Sequence, residues 1–104
     1  MKMTKEMILQ YLKEIKPELK NYGIEQIALF GSFAKGEQTV YSDIDIAIKK
    51  KSDFLKQYSA YEYFNMVSTI KQKIRKTLHR NIDIFDLESD SAFLESIEKE
   101  IIYV

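Results

Sequence analysis

The chain has no cysteine and no tryptophan, one histidine, one proline and three glycines, and its charges sum to zero over 104 residues. Each shortage excludes something. Without cysteine there is neither a disulfide framework nor a thiol catalyst. No apolar run approaches the length needed to span a membrane, and no secretory signal is evident, so a reducing cytoplasm is the expected compartment. Neutrality, with no aromatic residues interleaved among the basic ones, argues against a nucleic-acid partner. His79 stands beside Arg80 near the end of a helical stretch. A surface or capping role suits it better than metal binding or general-base work. There are no repeats, low-complexity segments or internal linkers. With 45% hydrophobic residues, the expectation is one domain, residues 1–104, around one modest core.

What remains is an α/β pattern. Ile8, Tyr11, Leu12, Ile15 and Leu19 fall at helical spacing from about Thr4. Pro17 interrupts them, predicting a kink or a second helical turn, and Gly23 closes the helix. Ile24 to Phe30 reads as a short buried strand. Gly31 ends that strand, and Ser32 is expected to cap a helical turn through Phe33 to Lys35. A second strand runs from Asp43 to Ile48, with Lys49 to Asp53 as a loop after it. Ser59-Ala60-Tyr61-Glu62 is a capping box. It opens a long helix carrying Tyr63, Met66, Val67, Ile70, Ile74 and Leu78 on one side, a stripe read as core. A third strand covers Asn81 to Leu87, and a last helix from about Ser91 carries Phe93, Leu94, Ile97 and Ile101. The predicted order is helix, strand, strand, helix, strand, helix. That is an α/β (α+β) fold with a mixed sheet of about three strands flanked by helices.

The chemistry sits around Gly31-Ser32 and Ser42-Asp43-Ile44-Asp45. On the second strand Ile44, Ile46 and Ile48 point one way, and Asp43, Asp45 and Ala47 the other. Asp is depleted in strands. Two carboxylates on one face repel each other unless one is protonated or a cation sits between them. Mg²⁺ in nucleotide enzymes is commonly held by one or two carboxylates plus substrate phosphates. Gly31 lets backbone N–H groups approach a ligand, and a short helical start after it can receive phosphate. A third carboxylate comes from Asn81-Ile82-Asp83-Ile84-Phe85-Asp86. Asp83 and Asp86 have opposite parity, so only one shares the aspartate face. Asp83 lies deeper in the run and is chosen. Asp86 is placed at the strand end, facing solvent or capping the next segment.

Gly31-Ser32-x-Ala34-x-Gly36, Ser42-Asp43-x-Asp45 and the later Asp83 together resemble the nucleotidyltransferases of the DNA polymerase beta superfamily. The shortness of the chain resembles the minimal branch, the MNT proteins. The resemblance implies that Asp43, Asp45 and Asp83 are both metal ligands and catalytic residues, holding two Mg²⁺ ions. Gly31 and Ser32, with Lys35 and Ser42, would bind the nucleoside triphosphate, ATP. Lys35 stands where many relatives carry Arg, so it can act as a point charge but not as a bidentate phosphate clamp. Such proteins often pair with a small HEPN-domain toxin and silence it by moving AMP to a tyrosine hydroxyl. Two other readings come with the resemblance. One is an antitoxin that acts by binding alone. The other is transfer to a small molecule such as an aminoglycoside, which in relatives goes with an extra helical domain.

Charge is segregated. Residues 49–80 carry nine basic side chains against Asp53 and Glu62, a balance of +7, so the flanks sum to −7. The split points to an acidic partner docking on the basic helix, or to pairing between copies in a homo-oligomer. Exposed charges of this kind are screened by salt.

Overall fold

The computed structural model describes residues 2–104. Five helices and four strands follow one another: α1 (Lys5–Asn21), β1 (Ile24–Phe30), α2 (Gly31–Lys35), β2 (Ile44–Lys50), α3 (Phe54–Gln57), α4 (Ala60–Leu78), β3 (Ile82–Asp86), α5 (Ser91–Ile97) and β4 (Ile102–Tyr103). The sheet order is β3-β2-β1-β4. β2 runs antiparallel to β1 and parallel to β3, and β4 pairs antiparallel with β1. The parallel pair requires a long crossover, which α3 and α4 supply.

The local signals explain most boundaries. Thr4 accepts a hydrogen bond from the Met7 N–H and starts α1. Ser59 and Glu62 close the expected capping box on α4. Gly23, at φ 93°, turns the chain out of α1 into β1. A Cβ there would lie 2.6 Å from the Phe54 ring, so glycine is also what lets α3 pack close. His79 takes the left-handed C-cap of α4 at φ 55°, the capping role expected of it.

Five expectations are corrected. The sheet has four strands, not three, because Ile102–Tyr103 adds an edge strand to β1. The last helix ends at Ile97, so Ile101 lies beyond it and packs against the core from the turn into β4. Lys49 and Lys50 continue β2 rather than opening a loop. α1 runs through Pro17 as one helix, so no second helix starts there. Pro17 lies on the exposed face, where water can satisfy the carbonyl that loses its partner. Ser32 is not a cap, because α2 begins at Gly31 with Phe30 at the N-cap and no side-chain cap bond.

The sheet separates two cores. On one face Ile27, Leu29, Ile44, Ile46, Ile48 and Ile82 pack beneath α1 and α4, against residues such as Leu12, Ile15, Ile70 and Ile74. On the other, Ala28, Phe30 and Ala47 meet Leu87 and Ile97. Alternation along β2 is therefore core on both sides at its centre, with the second side opening toward both ends, at Asp45 and at Lys49.

Ile46 is fully buried in the larger core, so Ile46→Ala should lose about 2–5 kcal/mol. Ser59→Ala should lose about 1 kcal/mol through the cap alone. Urea denaturation of the two variants checks this: a larger loss from Ser59→Ala would mean that α4 is held by its terminus rather than by its buried stripe.

Candidate active site

β2 carries Asp45 one residue in from its start, between two neighbours. Its Cα partner on β1 is Phe30, immediately before Gly31, and its partner on β3 is Asp83. Asp45 and Asp83 share one face of the sheet, and Asp43, expected as the first residue of the strand, lies just before β2 at the same end. The structure thus brings together the three carboxylates read from the sequence. It places Asp86 elsewhere, on the opposite face.

Gly31 is required by Asp45. Its φ is +78°, and a Cβ built on it would collide with an Asp45 carboxylate oxygen. The missing side chain is what allows the β1–α2 turn to close over the aspartate. The Gly31 N–H is not free, because it donates to Glu100 Oε2 at 2.6 Å. Glu100 was not legible as a site residue in the sequence. It reaches the turn from the segment between α5 and β4, and the only signal was its place in an acidic C-terminal stretch.

These charges act on one another. Burial, then the carboxylates of Asp83, Asp43 and Glu100, push the Asp45 carboxyl from 3.8 up to about 6. Asp43 and Asp83 are exposed while Asp45 is half-buried. Half-buried negative charge without a cationic partner fits a bound cation. Among the described residues no three His, Cys, Asp or Glu side chains converge closely enough to enclose a metal by themselves.

The other expected residues are placed differently. The Ser42 hydroxyl accepts from the Thr39 N–H at 2.9 Å and so holds the loop before β2. Lys35 ends α2 and lies 3.9 Å from Glu37. Arg80 had no signal in the sequence beyond its charge. Its guanidinium donates to the carbonyl oxygens of Ser42 at 3.0 Å and Val40 at 3.4 Å. It also lies over the Phe33 ring of α2, 5.3 Å from the centroid. Arg80 thereby ties the loop before the aspartates to the helix after Gly31. Asp86 is half-buried rather than facing solvent. It accepts from Tyr63 and from Lys50, the latter at 3.0 Å. It does cap the turn after β3, accepting from the Glu88 N–H at 2.8 Å.

Comparison with known proteins shows the family of the chain. The family pattern described as polymerase beta, nucleotidyltransferase matches residues 13–104. A protein of Methanocaldococcus jannaschii, provisionally named a protein adenylyltransferase, is 35% identical over 100 residues, 93% of this chain and 94% of its own. A solved structure described as a minimal nucleotidyltransferase superposes with a TM-score of 0.71 at 19% identity, over 96% of this chain and 95% of that one. A complex of a tri-AMPylated Shewanella oneidensis HEPN toxin with MNT antitoxin gives 0.52 at 22% identity, over 95% of this chain and 66% of that one. With the family pattern covering most of its length, including the Gly-Ser turn and the three-aspartate face, the chain belongs to the polymerase beta nucleotidyltransferase family.

Proposed function

We propose that this protein is the antitoxin of a HEPN/MNT pair and transfers AMP from ATP to a tyrosine hydroxyl of its partner toxin. The carrying observation is the placement of Asp45 between the Gly31 turn and Asp83. The named relatives support the reaction class and the kind of partner.

Asp43, Asp45 and Asp83 would hold two Mg²⁺ ions. When bound, these supply the positive charge that activates the attacking hydroxyl and stabilises the leaving oxygens. The protein's own contribution is placement. Gly31 and Ser32 offer a turn against which the β- and γ-phosphates can lie. Glu100 fixes the Gly31 N–H, which leaves the Ser32 hydroxyl and N–H for the ligand. Arg80 holds the Ser42 side of the aspartate strand against α2. Lys35 adds a point charge at the end of α2. Asp43 and Asp83 are exposed at their end of the sheet, so the acceptor side would be completed by the partner.

Three outcomes test this reading. Intact mass after incubation with Mg²⁺-ATP and a HEPN-type partner should show AMP on the partner, absent with Asp45→Asn. A stable complex that never gains mass would instead leave an antitoxin acting by binding alone.

The second outcome concerns pH. The folded chain keeps on Asp45 a proton that the unfolded chain releases, because the carboxyl is raised from 3.8 to about 6. The stability this group contributes is complete below about pH 4 and is lost as pH rises through about 6. In metal-free buffer Asp45→Asn should therefore be more stable than the parent at pH 7. The gain is on the order of 1 kcal/mol after screening at a half-buried site. It should vanish below about pH 4. Urea denaturation on either side of that window reads it, and an equally large gain on the acid side would refute the carboxylate repulsion.

The third concerns Glu100. Glu100→Ala should raise KM for Mg²⁺-ATP about tenfold, as loss of a charge-assisted bond to the turn predicts. Glu100→Gln keeps an acceptor oxygen and should recover most of it. Failure of Gln to rescue would point to the charge rather than the hydrogen bond.

A further inference from the structure

Seven tyrosines are spread along the chain, and the fold sets one of them apart. Four belong to the end of the sheet where β1 begins and β2 finishes, away from Asp45. Tyr22 precedes the Gly23 turn, whose carbonyl accepts from the Lys51 N–H at 2.9 Å. Tyr58 packs on Phe54, Tyr61 lies in the first turn of α4, and Tyr63 donates to Asp86, the residue that pairs with Ile48. Tyr11 donates to Thr77 at 3.3 Å. Tyr103 sits on the edge strand β4, with β1 between it and β2. Tyr41 stands two residues before Asp43.

Its backbone is held while its side chain is free. The Tyr41 N–H donates to Thr39 Oγ1 at 3.2 Å, and the Ser42 N–H donates to the Thr39 carbonyl at 3.1 Å. Arg80 donates to the carbonyl oxygens on either side of Tyr41, those of Val40 and Ser42. The tyrosine itself is 91% exposed. Left in water, its ring adds nothing to the core. Two residues of chain span at most about 7 Å, so the phenol is tethered within short reach of Asp43. A tether of this kind replaces a bimolecular encounter by an intramolecular one.

Tyr41 and Asp43 line one cleft of about 930 Å³, together with Arg75 and Lys76 of α4. Both cations are exposed. Among the described residues neither takes part in the ion pairs present, which are Lys35–Glu37, Lys50–Asp86, Lys50–Glu88 and Lys73–Glu18. A phenol is neutral in ordinary buffer, whereas the phosphodiester made from it is an anion. The cleft therefore favours the modified side chain over the free one.

We infer that Tyr41 is itself an acceptor: with no partner present, the protein transfers AMP to the Tyr41 hydroxyl of the same chain. This rests on the transferase reading above. Tyr41 Oη attacks the α-phosphorus of ATP. The new Oη–P bond forms as the α–β phosphoanhydride bond breaks. Pyrophosphate leaves, and the phenolic proton passes to solvent. The attached AMP then lies over the cleft, with its phosphate beside Arg75 and Lys76, and covers the approach to Asp43.

The test incubates the full chain alone with Mg²⁺-ATP and reads its intact mass and the modified peptide. The parent should gain one AMP increment, mapped to Tyr41 by fragmentation. Tyr41→Phe should reduce that increment at least tenfold, and so should Asp45→Asn. Tyr61→Phe, which alters an exposed tyrosine at the far end of the sheet, should leave it intact. The fraction modified in a given time should not change on tenfold dilution of the protein. Thermal melts confirm that each variant is folded, and parallel samples with a HEPN-type partner show whether transfer occurs at all. AMP on the partner but none on the parent chain overturns the inference while leaving the transfer reading standing. So does an increment mapped to another residue, an increment that persists in Tyr41→Phe, or a modified fraction that falls in proportion to dilution. So does a Tyr41→Phe variant that loses self-labelling and partner labelling equally, because the phenol would then serve in binding. Labelling undiminished by Asp45→Asn, or AMP on neither protein, overturns the transfer reading and the inference with it.

Discussion

The molecule is arranged around one unfavourable contact, a half-buried Asp45 near Asp43, Asp83 and Glu100, none of which forms an ion pair among the described residues. Left to itself, such a site costs stability, and the raised carboxyl is its signature. Keeping it in place needs rigid support. β2 lies between β1 and β3, so Asp45 is held from both sides by backbone pairing. The Gly31 turn closes over it because there is no Cβ to prevent the approach. Buried isoleucines on the reverse face of the strand anchor it to the α1/α4 core.

The far end of the neighbouring strand, β3, shows what the chain does with a carboxylate whose role is structural. Burial would raise Asp86, yet hydrogen bonds from Tyr63, the Glu88 N–H and Lys50 outweigh it and hold the carboxyl below its ordinary value. There the charge is paired and capped. At Asp45 it is neither. The β2–β3 pair thus carries a neutralised end and a charged end. The difference cannot come from packing, because both faces of the sheet are well filled at its centre. Repulsion kept at one end and removed at the other is what a ligand site requires.

Much of this was legible because period-two alternation fixes parity. Parity puts Asp83 and Asp86 on opposite faces, depth in the run selects Asp83, and the pairing of Asp45 with Asp83 agrees. The capping box at Ser59 and the turn at Gly23 arise from local chemistry and were equally readable. What was hidden depended on contacts distant in sequence. Glu100 meets Gly31 across 69 positions, and Arg80 reaches Ser42 across 38. Neither has a local pattern. The edge strand Ile102–Tyr103 is two residues long and exists only because β1 offers a free edge. Ser32 looked like a cap because small polar residues usually are. The chain instead enters α2 through Gly31, leaving the serine inside the first turn.

The segregation of charge takes its meaning from the same geometry. Read along the sequence, a balance of +7 over residues 49–80 could describe any solvated helix. In space its cations divide into distinct uses. Lys50 neutralises Asp86, Arg80 joins the loop before β2 to α2, and Lys73 pairs with Glu18. After these are subtracted six remain, Lys49, Lys51, Lys56, Lys71, Arg75 and Lys76, and of these Lys71, Arg75 and Lys76 line the hollows beside Asp43. Solvated charges need no common direction. Those left over after structural pairing, and converging on a reacting centre, do. Val40 and Tyr41 are exposed in the loop before β2, so the mouth of the hollow beside Asp43 is open to solvent.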